Sequence, residues 1–264
     1  MSVKQLIIKL IPKRVKEYIK AQINYECPVP KPTEYVIHTS DLKKLEGKAI
    51  IVTGATGAIG SAVTHQLYIQ GATVGVCGRD MAKISKTIDR IKSENINGEG
   101  QLIPLCIDVT DSISIENGID EFYRQAGKID ALINNAGGGA RGSSKKLWEQ
   151  DIEIIDRVIK TNLQGSILCA RKAAQIMTKQ SSGVIVNMSS VVGMRGKEKM
   201  TDYAAAKAGI IGLTKSLAIE LGKYNIRVNC ISPGMVNQIP FDTGLPIRST
   251  NANCLGRFGY TDEV

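Results

Sequence analysis

Histidine is almost missing from this 264-residue chain: only His38 and His65 occur, far apart in sequence. Six cysteines, at 27, 77, 106, 169, 230 and 254, show no C-x-x-C spacing, and several sit inside apolar runs. These absences argue against a zinc site and a disulfide framework, and no metal site is expected. Thiols of this kind belong in a reducing compartment, so the expected location is cytoplasmic. There is no internal repeat, no low-complexity segment and no uncharged apolar run long enough to span a bilayer. Lys9 interrupts the only stretch resembling a signal peptide.

Charge of one sign is in excess, and its distribution matters. The net charge is +9, yet residues 1–20 hold Lys4, Lys9, Lys13, Arg14, Lys16 and Lys20 against Glu17 alone, a net of +5. The remainder is only mildly basic, which gives no ground for nucleic-acid binding. Residues 1–45 therefore read as an N-terminal extension and linker, and 46–264 as the domain proper. The extension carries a rough helical stripe broken by Pro12 and followed by a proline-rich linker at 27–32. It suits a helix packed on the domain or a partner. Contact with an anionic membrane surface is the less favoured alternative.

From Gly47 onward, strand, turn and helix alternate. Short apolar runs at 49–53, 73–77, 102–107, 131–134, 184–188 and 227–231 predict strands. Helical spacing fills 58–70, 81–95, 112–126, 150–179 and 203–222. Runs without alternation suit strands buried on both faces. The fold expected is therefore α/β, a doubly wound parallel sheet between two helical layers, with its ligand at the carboxyl ends of the strands.

Two stretches carry chemistry. In AIIVTGATGAIG, residues 49–60, a strand runs into Gly54, Gly57 and Gly60 and then a helix. Glycine permits a tight turn and close approach to a pyrophosphate, and the helix start offers free N–H groups. Ser61 follows Gly60 where a P-loop would have lysine. At the second strand's end stands Gly78-Arg79-Asp80. Arg79 suits the 2′-phosphate of NADP(H), Asp80 would suit the ribose of NAD(H), and Asp80 also fits a plain helix N-cap. The second stretch, GVIVNMSSVVGMRGKEKMTDYAAAKAGIIG at 183–212, places Ser190 at a strand end and Tyr203 thirteen positions later. Tyr203 and Lys207 are i and i+4, on one helix face. A nearby cation favours the phenolate of a tyrosine, which makes the pair a general acid/base.

Taken together these stretches resemble the classical short-chain dehydrogenase/reductase family, from about residue 45 to the end. Residues 53–60 are similar to its TGxxxGxG turn, with Thr56, Gly57 and Ile59 inside it and Ala58 replacing the middle glycine. Asp108-Val109 resembles the pair that contacts adenine. Asn134-Asn135-Ala136-Gly137 resembles its NNAG strand end, and Pro233-Gly234 the turn beside the nicotinamide. Asn162, Ser190, Tyr203 and Lys207 match its catalytic tetrad.

The resemblance implies a Rossmann fold that binds NADP, or alternatively NAD, through Gly54, Thr56, Gly57, Ile59, Gly60, Arg79, Asp108, Val109, Asn135, Ala136, Gly137, Tyr203, Lys207, Pro233 and Gly234. It implies hydride exchange with a carbonyl or secondary alcohol. Tyr203 would move the proton, Ser190 steady the oxygen, Lys207 bind the nicotinamide ribose and Asn162 hold a relay water. The substrate implied is a small molecule, either a 3-oxoacyl thioester as in the acyl-carrier-protein reductases or a sugar or polyol. A homodimer or homotetramer through the helices of Asn162 and Tyr203 is also implied. A non-catalytic nucleotide sensor is the alternative from another class.

Two departures and one basic cluster stand out. The helix start at 259–264, with Thr261 as N-cap, ends without the family's seventh strand. The strand at 227–231 is then expected as an open sheet edge in a shortened chain. Asn237-Gln238 replaces a threonine that bonds the cofactor carboxamide. The basic residues Arg141, Lys145 and Lys146 either attract an anionic substrate or form a solvated loop face.

Overall fold

The computed structural model describes residues 45–94, 100–139, 142–237 and 257–264. The extension expected at 1–45 lies outside these residues except for its last position.

Six parallel strands form the sheet: β1 Ala49–Val52, β2 Thr73–Gly78, β3 Gln101–Cys106, β4 Ala131–Asn134, β5 Gly183–Met188 and β6 Ile226–Ile231. Their order is β3-β2-β1-β4-β5-β6. The chain reverses its direction of travel between β1 and β4, and a crevice opens there at the carboxyl ends of the strands. This is the doubly wound Rossmann arrangement. Among the described residues β6 is the sheet edge, as the sequence led us to expect.

The helices are α1 Ala58–Ile69, α2 Met81–Glu94, α3 Ser112–Ala126, α4 Ile152–Ile159, α5 Gly165–Gln180, α6 Val191–Arg195 and α7 Thr201–Gly222. Alternate residues of β1 to β4 feed two separate cores. Ile51, Cys77, Ile103 and Ile185 join Ile115, Ile119 and Phe122 of α3 and Ala173 and Met177 of α5 on one face. Ile50, Val52, Val74 and Val76 join Tyr68 of α1 and Ile84, Ile88 and Ile91 of α2 on the other. The i, i+4, i+7 spacing of the α2 and α3 residues gives each helix one buried stripe. Asp111 starts α3 by accepting the Ile113 N–H, and Gly127 ends it in a left-handed conformation at φ 74°.

The long helix expected at 150–179 is interrupted. Residues Lys160–Gln164 form a π-helical turn between α4 and α5. Asn162 explains it: its Nδ2 donates to the Val158 carbonyl at 2.9 Å, the acceptor its own backbone N–H would use in an α-helix.

The end of the chain departs from expectation in a second detail. Thr261 is the first residue of a short 3-10 turn, Thr261–Glu263, and Tyr260 is its N-cap. Glu263 closes that turn from within, because its Oε2 accepts the Tyr260 N–H at 2.7 Å while both carboxylate oxygens pair with Arg257.

Candidate active site

The glycine turn is built against the end of β4. Gly54 adopts φ +64°, and a Cβ there would stand 2.8 Å from Ala136 Cα. At Gly60 a Cβ would lie 2.2 Å from the Gly54 carbonyl oxygen. Both positions therefore demand glycine. Thr53 Oγ1 accepts the N–H groups of Asn135 and Ala136, each at 3.0 Å. Asn135 Nδ2 donates to the Thr53 and Gly54 carbonyls at 3.0 and 3.2 Å. Turn and strand end are thus one hydrogen-bonded unit. Helix α1 begins after Gly57 with no side-chain cap, which leaves its first N–H groups for an anion.

Beyond the turn lies one cavity of about 1160 Å3, larger than the roughly 300–1,000 Å3 of drug-sized sites. Every site residue expected from the sequence lines it except Asn162. Arg79, Asp108 and Val109 mark one region, and Ser190, Tyr203, Lys207, Pro233 and Gly234 another. Asp80 does not line it. Its Oδ1 accepts the Ala82 and Lys83 N–H groups at 2.9 and 3.2 Å, so it caps α2. Burial raises the Asp108 carboxyl, but hydrogen bonds from Thr110 N and Oγ1 and the nearby Arg79 charge outweigh it, leaving an acid stronger than usual.

The catalytic candidates are fixed by reciprocal bonds between β5 and α7. Lys207 Nζ donates to the Met188 carbonyl at 2.7 Å, and Ser189 Oγ donates to the Lys207 carbonyl at 2.7 Å. Lys207 is buried, and burial pulls its pKa down to about 8. Its Nζ stands 5.7 Å from the Tyr203 ring centroid. Ser190 accepts the Val192 N–H at 3.2 Å and so starts α6. Gly193 lets α6 close on α7, since a Cβ there would come within 2.6 Å of the Lys207 carbonyl carbon. Asn162 is wholly buried, and its side chain is committed to the Gly138 backbone and the Val158 carbonyl.

Several contributors were not singled out by sequence reasoning. Thr53 and Ser189 lie inside the quoted motifs, but their bonds reach across the fold. Asn134 Nδ2 donates to Asn187 Oδ1 at 2.9 Å, and Asn187 Nδ2 to Thr214 Oγ1 at 3.0 Å, forming a buried polar ladder from β4 through β5 to α7. Arg157 and Thr161 line the cavity beside Gly138 and Gly139. Asn237 lines it too, with its N–H on the Gly259 carbonyl at 2.7 Å; Gln238 lies outside the described residues. Lys145 pairs with Asp151 at 3.1 Å and Lys146 covers the Trp148 ring, while Arg141 lies outside the described residues.

The sequence profile of the short chain dehydrogenases matches residues 48–243. The chain belongs to the short-chain dehydrogenase family. It is an oxidoreductase of the CH-OH/C=O type with a nicotinamide dinucleotide as its cofactor. The bare glycine turn, the uncapped start of α1 and the size of the cavity fit that cofactor. Among relatives, this short-chain dehydrogenase is 38% identical to the 3-oxoacyl-(acyl-carrier-protein) reductase of Thermotoga maritima over 225 residues, 84% of this chain and 88% of the relative. It superposes on a 3-oxoacyl-(acyl-carrier protein) reductase from Brucella melitensis with bound NAD at TM-score 0.76, 32% identical, covering 88% of this chain and 87% of that one. It also superposes on an NAD-bound xylitol dehydrogenase at TM-score 0.74, 29% identical, covering 84% and 90% of the two chains. Among the described residues no helix is long and apolar enough to cross a membrane.

Proposed function

We propose that this short-chain dehydrogenase is an NADP(H)-dependent carbonyl reductase acting on a 3-oxoacyl thioester, with Tyr203 as general acid/base. The observation that carries the reading is one cavity lined by Ser190, Tyr203 and Lys207 and also by Arg79, while Asp80 is engaged as a cap. An acid free to accept ribose hydroxyls would favour NAD; an arginine there favours the 2′-phosphate. The substrate class follows the relatives named as 3-oxoacyl reductases.

Bound in this cavity, the nicotinamide supplies the hydride or accepts it. The chain's own residues handle the oxygen and its proton. Tyr203 donates its phenolic proton to the oxygen as the carbonyl is reduced and takes it back in the reverse direction. Lys207 favours the phenolate through its charge and presents Nζ to the nicotinamide ribose. Ser190 Oγ holds the substrate oxygen. Asn162 acts as a positioning residue: it fixes the Gly138 backbone and opens the π-turn, leaving any relay water to backbone groups. We further propose a cytoplasmic enzyme that assembles as a homodimer or homotetramer through α4, α5 and α7, where Ile152, Ile167 and Ile219 stand exposed.

The test is oxidation of NADPH against NADH by the purified chain with acetoacetyl thioester and a panel of sugar ketones. NADPH-preferring reduction of the thioester supports the proposal. NADH preference with turnover confined to sugars or polyols overturns it in favour of an NAD-dependent polyol dehydrogenase.

A further inference from the structure

Among the described residues the charged side chains lining the large cavity are Arg79, Asp108, Arg157 and Lys207. Three of them are already engaged. Asp108 Oδ1 is held by Thr110, and the Arg79 charge lies close to that carboxylate. Lys207 is buried with its Nζ on the Met188 carbonyl. The pyrophosphate of the cofactor has the uncapped start of α1. The positive charge of Arg157 is left over.

The orientation of Arg157 is informative. Glu153 precedes it by four residues on α4, the favourable order for an ion pair along a helix. Arg157 nevertheless pairs neither with Glu153 nor with any other acid among the described residues. It is exposed and lines the cavity instead, together with Thr161 four residues on. Ile152, at the proposed subunit interface, lies about 140° away round the helix, so the two faces are distinct.

That place is the substrate end of the cavity. Asn162, five residues after Arg157, bonds both backbone groups of Gly138. Five helical residues rise only about 7.5 Å, close to the length of an extended arginine. Gly139 adjoins the reacting group, since a Cβ there would stand 3.8 Å from Tyr203 Cγ. A Cβ on Gly138 would meet nothing within 4 Å, so open space lies beside Arg157. Its guanidinium brings a planar fork of donors that matches a carboxylate or a phosphate.

We infer that Arg157 is a specificity-determining residue that receives an oxyanion, a carboxylate or a phosphate, carried by the substrate away from its reacting carbonyl. The inference rests on the thioester reductase reading. It places the anion on either of two parts of such a substrate, the far end of the acyl chain or the arm beyond the sulfur.

The experiment is steady-state reduction of two matched substrate pairs by the full chain, with NADPH and with NADH. Acetoacetyl-phosphopantetheine against acetoacetyl-pantetheine tests a phosphate on the arm. The pantetheine thioesters of 3-oxoadipate, through one carboxyl, and of 3-oxohexanoate test a carboxylate on the acyl chain. The variants are Arg157→Gln and a control, Lys92→Gln, which removes an exposed charge outside the cavity. Wild type is expected to favour the anionic member of one pair by about tenfold to a hundredfold in kcat/KM. Arg157→Gln should erase that preference through KM, with the neutral substrates and the control unchanged. The pair that responds identifies the source of the anion. No preference in either pair, or one that Arg157→Gln reduces no more than Lys92→Gln does, overturns the inference and leaves the reductase reading intact. Turnover of none of these thioesters overturns that reading, and the inference with it. Arg157 is exposed, so thermal melts of variant and wild type are expected to coincide.

Discussion

Asn162 and Gly138 hold each other through two hydrogen bonds of 2.9 Å: Oδ1 accepts the Gly138 N–H and Nδ2 donates to the Gly138 carbonyl. The side-chain amide therefore pairs with the backbone beyond β4 as a neighbouring strand would. Gly137 must stay bare for this, because a Cβ there would lie 2.4 Å from Asn162 Oδ1. Asn162→Ala removes both bonds to the half-buried Gly138 backbone, each worth about 0.5–1.5 kcal/mol. A lower melting temperature together with reduced turnover is expected, and Gly137→Ala should reproduce both. An Asn162→Ala protein that melts with wild type would remove this positioning role.

Tyr203→Phe keeps the ring and deletes the proton. General acid/base catalysis contributes about 10²–10⁴-fold, so turnover should fall by at least two orders of magnitude with nucleotide affinity nearly unchanged. Stopped-flow kinetics beside a binding titration separate the two. Retained turnover would move the proton to another group.

Lys207 makes an unusual prediction, because a residue proposed for catalysis is costly to the fold. The unfolded lysine keeps its proton up to about pH 10.5, whereas the folded one releases it near pH 8. Between these values the unfolded chain binds more protons, so this group's contribution to stability improves as pH rises across that window. At pH 7 the cost is on the order of 3 kcal/mol, offset by about 1 kcal/mol from the bond to Met188. Lys207→Met should therefore be inactive yet melt a few degrees higher than wild type at pH 7, and the gap should shrink toward pH 10. Melting curves at several pH values check this, and a variant less stable at every pH would contradict it.

Arg79 and Asp80 are neighbours with separable effects. Arg79→Ala should raise KM for NADPH by about tenfold or more, the worth of a charge-assisted hydrogen bond, while leaving KM for NADH almost unchanged. Asp80→Ala should cost about 1 kcal/mol of stability by uncapping α2, without weakening NADH. If Asp80→Ala instead weakens NADH selectively, the cofactor assignment reverses.

The strands and long helices were legible because each apolar run sits between a glycine or proline signal and a helical stripe. The Ile84, Ile88 and Ile91 stripe of α2 is one example. The cavity-lining residues were legible because their spacing is local, as with Tyr203 and Lys207. Bonds that cross the fold were not. Thr53 and Asn135 are 82 positions apart, and Ser189 and Lys207 are 18 apart, so neither pair leaves a pattern in a short window. The π-turn was hidden for a related reason. It depends on a side-chain amide displacing a backbone donor, and nothing in the sequence at 158–162 distinguishes that from an ordinary helical asparagine.

The paired bonds joining Met188 and Ser189 to Lys207 have an evolutionary corollary. They bind strand β5 and helix α7 into a single part, so the geometry proposed for proton transfer is kept or lost as one unit. Gly139, Gly234, Val236 and Asn237, which also line the cavity, lie outside those two elements. Change at those positions can thus reshape the cavity while the proposed reacting centre keeps its geometry.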